Sequence, residues 1–182
     1  MVEAIRVLTE LRSGINELSG LLEKDTLDEG SLQRCLTNFP ILFGLQYQRV
    51  IPKYQLGSDF ELVFALEITY GLVDLVEIEA SNLRLYTNAG NPTKELVHAE
   101  QQILDWLEWL EANARLARDD LPGMMRPVGQ IIIGRRNSLS SKDLIRLKRR
   151  NAAWQGSIQV LTYDDLLDRA RNVVDLLTKS RE

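Results

Sequence analysis

Between Tyr47 and Ile78 the chain carries three runs rich in β-branched and aromatic residues, Tyr47–Ile51, Phe60–Leu66 and Leu72–Ile78, separated by Pro52, Gly57 and Gly71. Runs of this length and composition, bounded by proline and glycine, are strand signals. Three successive strands in a meander are expected, and the remaining elements have to cover them.

Ala4, Leu8, Leu11, Ile15, Leu18 and Leu22 recur at alternating steps of four and three, which predicts one amphipathic helix over residues 2–24. Its stripe either packs on its own domain or pairs with another chain. Residues 25–30 form a polar break, and Ser31 is placed to cap a short helix that ends before Pro40. The organisation read from this is a helical segment, 1–26, followed by a domain over 27–182. Residues 80–92 are rich in Asn, Gly and Pro and predict a loop, with Thr93 capping a helix over about 94–117 along the face Leu96, Ala99, Ile103, Trp106, Leu107 and Leu110. Val128–Gly134 and Ser157–Leu161 predict two further strands. A basic helix capped by Ser140 or Ser141 runs between them, and a final helix opens at Thr162 or Asp164. The order α–α–β–β–β–α–β–α–β–α requires an α/β fold, a sheet with helices packed on it.

Composition sets the class. The chain has 182 residues, 45% hydrophobic and 26% charged, as in an ordinary globular domain. No apolar run approaches the roughly 18 residues that span a bilayer, so no membrane partner is expected. The segment Met1–Leu22 lacks a basic start leading into an unbroken apolar core, and cytoplasmic residence is the expectation. One cysteine, Cys35, and one histidine, His98, leave no intrachain disulfide and no four-ligand zinc site. The net charge of −4 argues against indiscriminate coating of nucleic acid. The stretch from Arg126 to Arg150 runs the other way, with eight basic residues against Asp143 alone, which is a local footprint for an anion.

Chemistry concentrates in Val73–Glu79. Glu77 and Glu79 lie two residues apart on an otherwise apolar strand, hence on one face. Such a pair is either a solvated strand end or a costly buried pair that a cation offsets, and Mg²⁺ prefers carboxylate oxygens. Asp59, Glu61 and Glu67 are candidates for an acid on the neighbouring strand, and His98, Gln102 and Asp105 fall beside the apolar face of the long helix. Cys35 sits among helix-core positions, as do Trp106, Trp109 and Trp154 among packing positions. No glycine-rich phosphate loop, serine-hydrolase elbow or kinase motif is present.

The succession Ser31–Pro40, Val50–Pro52, Leu56–Gly57 and Leu75–Glu79, continued by Leu85–Thr93, Leu96–Trp106, Ile132–Arg135 and Leu161–Leu166, resembles the nuclease-like domain of the Shedu anti-phage proteins. That resemblance spans roughly 30–178 and implies a restriction-endonuclease-like fold of the PD-(D/E)XK type, a central mixed sheet flanked by helices with an added N-terminal helix. It also implies a Mg²⁺- or Mn²⁺-dependent endonuclease acting on DNA in antiviral defence, and homo-oligomers, which are common in the family. Carried over by position, Glu77 matches the metal-binding acid, Glu79 stands where that superfamily has lysine, and Gln102 takes the place of the helix glutamine. Glu61 is then a second metal ligand, and Arg135, Arg136, Lys148, Arg149 and Arg150 are the expected phosphate contacts. Two departures set the alternatives: Val63 falls at the first-strand aspartate, and Leu62 at the proline before it. The implied site is either working or degenerate. In the second case the chain is a non-catalytic module on the same scaffold, for DNA binding or for oligomerisation.

Overall fold

The computed structural model describes residues 2–24, 29–68, 72–121, 124 and 126–179. Helices α1 (Val2–Leu22) and α2 (Glu29–Asn38) precede the strands β1 (Tyr47–Leu56), β2 (Phe60–Ile68) and β3 (Val73–Ile78). Then follow α3 (Lys94–Ala112), α4 (Ala114–Asp120), β4 (Val128–Ile132), α5 (Ser141–Ala153), β5 (Ile158–Leu161) and α6 (Tyr163–Lys179). Short 3₁₀ turns lie at Pro40–Phe43 and Arg136–Ser138.

The strands form one open mixed sheet in the order β1-β2-β3-β4-β5. β1, β2 and β3 pair antiparallel, as the expected meander does, whereas β3, β4 and β5 run parallel. The difference follows from the connections. Gly57, at φ 63°, lets β1 turn back directly into β2, and parallel neighbours need a crossover, supplied here by α3 with α4 and then by α5.

Helices cover both faces. On one, Leu75, Ile131 and Val160 of the sheet pack with Leu96, Ala99 and Ile103 of α3 and with Leu147 of α5. Gly129 on β4 has no Cβ because Ile103 lies directly on it; an added carbon would sit 2.2 Å from Ile103 Cγ2. On the other face, Phe64, Leu66, Val76, Ile78 and Ile132 meet α1, α2 and α6, and Phe43 stands edge-on to Phe64 at 5.1 Å between ring centres. Leu11, Leu18 and Leu22 of the α1 stripe are buried in this second core, so the helix packs on its own chain.

Both sheet edges are blocked, which open sheets require if they are not to pair with strangers. On β5, Asn151 of α5 bonds both the N–H and the C=O of Val160, while the Ile158 and Thr162 N–H groups go to Trp154 O and Asp165 Oδ2. On β1, Pro52 lacks a donor and Lys53 adopts φ 51°.

Several sequence expectations need correction. β1 does not stop at Ile51 but runs through Pro52 to Leu56, because a proline fits an outermost strand. Ser31 does not cap α2, which starts at Glu29; it accepts a hydrogen bond from Arg34 instead. The expected break at 25–30 falls largely on 25–28, outside the described residues. The long helix breaks at Asn113, dividing it into α3 and α4. Two caps stand as read: Thr93 accepts from Leu96 N–H, and Ser140 forms a capping box with Asp143.

Candidate functional site

β3 places the acids at the carboxyl end of the parallel half of the sheet, where α/β folds hold their ligands. Side-chain alternation puts Glu77 on the face of Val73 and Leu75, and Glu77 is only 6% exposed. Its Oε2 is buried with no hydrogen-bond partner among the described residues. Burial, followed by the charges of Glu79 and of Glu29 at the start of α2, pushes the Glu77 carboxyl up to about 8. Glu79, half-buried, is also raised, first by burial and then by Glu29; His98 on the first turns of α3 pulls it back and Glu95 pushes it up. Burial raises Glu29 as well. Glu77, Glu79 and Glu29 therefore share one acidic field with no cation facing it among their described electrostatic partners other than His98.

The strand end is held from below. The Tyr163 hydroxyl, fully buried at the first residue of α6, donates to the Glu79 main-chain oxygen at 2.8 Å. Glu79 N–H donates to Ile132 O on β4.

The neighbouring strand contributes no acid. The β2–β3 ladder ends at Phe64↔Val76, one step short of Val63 and Glu77, and Val63 packs among the apolar residues of the second core. Glu61 lies beyond the ladder, exposed, and accepts from Gln55 on β1. Asp59 accepts from the Trp109 indole, and Glu67 pairs with Arg49 at 2.9 Å. None of the three is brought to Glu77. Gln102 is half-buried on α3 and does not donate to the orphaned Glu77 oxygen. Among the described residues, no three acidic, histidine or cysteine side chains converge on one point as a ready metal cage. Mg²⁺ does not demand one, since it commonly takes one or two carboxylates and keeps water or phosphate on its other positions. The donor set at β3 fits that requirement.

The expected phosphate contacts divide. Arg135 forms a two-point ion pair with Asp164 at 2.9 and 3.0 Å and donates to Leu22 O at the end of α1. Arg136 bonds Asp165 and Asp168, and Arg150 forms a two-point pair with the buried Glu100. Arg135 and Arg150 are committed inside the fold, and Arg136 is paired with two acids nearer the surface. Lys148 and Arg149 stand exposed on α5, with Lys142 a turn or two before them.

Sequence reading missed Glu29, which belongs to a helix far from β3 in the chain. It also missed Asp74, which faces away from Glu77 and accepts from Tyr47 Oη at 2.8 Å and Gln130 Nε2 at 2.9 Å. Cys35 is buried and its thiol is pushed up to about 12 by burial and then by Glu17, which keeps it protonated at neutral pH. No described helix is long and apolar enough to cross a membrane.

The family described as Shedu protein SduA, C-terminal, matches residues 26–167. The chain belongs to this family. The match begins just ahead of α2 and closes in the first turns of α6, so the Shedu region contains the whole sheet and all three acids, and α1 lies before it. Membership of the Shedu family points to a defence-related protein. A search of the curated proteins finds no match to the chain.

Proposed function

We propose that this chain carries a Mg²⁺- or Mn²⁺-dependent DNA endonuclease site of the PD-(D/E)XK kind, used in defence against phage. The observation that carries the reading is the Glu77 carboxyl: buried, without a donor on Oε2 among the described residues, and close enough to Glu79 to feel its charge. An arrangement of that kind is costly for the polypeptide alone and is offset when a cation binds. Glu77 and Glu79 are the metal ligands, with Glu29 adding negative potential from the start of α2. A divalent ion held there would lower the pKa of a bound water and neutralise charge developing on a phosphodiester. Lys142, Lys148 and Arg149 supply the exposed cations that would meet backbone phosphates. Like other members of its family it is expected to act as a homo-oligomer in the cytoplasm.

A second reading, a DNA-binding module without chemistry, is favoured by Val63. Valine cannot ligate a metal, and no acid on β2 takes its place. The two readings part on plasmid and linear DNA incubated with Mg²⁺ or Mn²⁺, with EDTA, and with the Glu77→Ala variant. Metal-dependent cutting that disappears in the variant supports the nuclease. Salt-dependent binding with no cutting under any of these conditions supports the module, and cutting that survives Glu77→Ala removes the proposed site.

A further inference from the structure

We infer that Tyr163 is a positioning residue for the Glu79 carboxylate, acting through the main chain of the strand end; this rests on reading Glu77 and Glu79 as a cation site. The inference comes from how the β3–β4 ladder stops. The parallel register runs Glu77↔Ile131 and Ile78↔Ile132, and Glu79 N–H donates to Ile132 O at 2.9 Å. Regular continuation would give the Glu79 carbonyl to Gly134 N–H. Instead, Gly134 N–H goes to Ala80 O at 3.3 Å, one residue further on. The Glu79 carbonyl is left over at the point where the ladder slips, and the donor it finds is the Tyr163 hydroxyl at 2.8 Å.

The slip is built in from the other side as well. Gly134 sits at φ 63°, with Leu83 O only 2.3 Å from where a Cβ would stand, so no other residue fits comfortably. Its carbonyl accepts from the Tyr163 N–H at 3.2 Å. One residue thus holds both strand ends: its amide holds the β4 side and its phenol the β3 side. Because the hydroxyl binds the main-chain oxygen, it occupies neither oxygen of the Glu79 carboxylate, and the direction of that side chain is set by a backbone held off the ladder. A buried carbonyl deprived of its donor would seek another, and the nearest regular choice is Gly134 N–H, which would turn Glu79 out of its present orientation.

The test uses the full chain and Mn²⁺ alone, followed by the electron-paramagnetic signal of the free ion, with apo thermal stability measured in parallel. Tyr163→Phe keeps the ring and the main-chain N–H hydrogen bond to Gly134 O, so folding is expected. Its Mn²⁺ affinity should fall about tenfold or more, the usual cost of losing a group that orients a metal ligand. Tyr47→Phe removes the half-buried hydroxyl that holds Asp74 near the opposite end of β3 and should lower stability while leaving Mn²⁺ affinity as in the wild type. In a Glu79→Gln background, Tyr163→Phe should cost no further affinity, because the residue through which it acts is already altered. Wild-type affinity in Tyr163→Phe, or an equal loss in both backgrounds, overturns the inference and leaves the cation site standing. A wild-type chain that binds no Mn²⁺ overturns the cation site itself, and the inference with it.

Discussion

The Tyr47 hydroxyl donates to Asp74 Oδ2 at 2.8 Å, and Gln130 Nε2 bonds both, at 2.6 Å to the hydroxyl and 2.9 Å to the carboxylate. Three residues beyond Asp74 on β3, Glu77 is more deeply buried yet has an oxygen with no donor among the described residues. One carboxylate of β3 is thus held by its own fold, and the other has no donor on Oε2 among the described residues.

That contrast predicts a pH dependence of stability. In the folded protein without metal the Glu77 carboxyl is raised to about 8 from an ordinary value of 4.5. A raised folded value means that the folded state holds the proton longer, so this contribution is fully present below about pH 4.5 and is lost as pH climbs through 8. Glu77→Gln has no proton to lose. In EDTA, urea unfolding should show the variant gaining on the wild type from pH 5 to pH 9, by about a few kcal/mol at the upper end. Parallel pH profiles would reject the assignment.

Arg149 and Arg150 are adjacent in sequence and should behave in opposite ways. Arg150→Ala strips the buried Glu100 of its partner and should cost about 3 kcal/mol or more of stability. Lys148→Ala with Arg149→Ala should change stability by no more than about 0.5 kcal/mol per site. If α5 meets phosphate, the same pair should weaken DNA binding and reduce its salt slope by about 2. Thermal melts and binding titrations at several salt concentrations check both.

Gly129 and Ile103 set how closely α3 lies on β4. Gly129→Ala drives a methyl into Ile103 Cγ2 and should destabilise by about 1–3 kcal/mol. Ile103→Ala should itself be costly through the cavity it leaves. The double variant should cost clearly less than the two single changes together, since each relieves the other. Additive losses in denaturant unfolding would place the two side chains out of contact.

Lys53 stands at φ 51° in the middle of β1, where an L-residue is strained by roughly 1 kcal/mol. Lys53→Gly should hold or raise stability despite glycine's poor strand propensity, and Lys53→Val should lower it by about 1 kcal/mol or more. The Val variant being the more stable of the two would contradict this backbone.

Much of the fold was legible because it is local. Val73–Ile78 announces a strand by its own composition, α3 and α5 announce their starts through Thr93 and Ser140, and the Glu77/Glu79 spacing alone puts both acids on one face. The basic stretch was legible only in part, for an equally physical reason. A run of charge along the chain says nothing of partners, and those of Arg135 and Arg150 lie 29 and 50 residues away, at Asp164 and Glu100. Pro52 misled in a related way: whether proline ends a strand depends on whether its missing N–H would face a neighbour, which requires knowing that β1 is outermost.

Periodicity, caps and turn residues, which act over a few residues, determined by themselves that this chain would be α/β and that one strand would end in two acids. Tertiary structure decided what those acids meet. The approach of Glu29, the stop of the β2–β3 ladder short of Val63 and the hydroxyl of Tyr163 beneath Glu79 all depend on register and on crossings between distant segments. Such relations come from packing the whole core at once, and no short-range preference in the sequence encodes them.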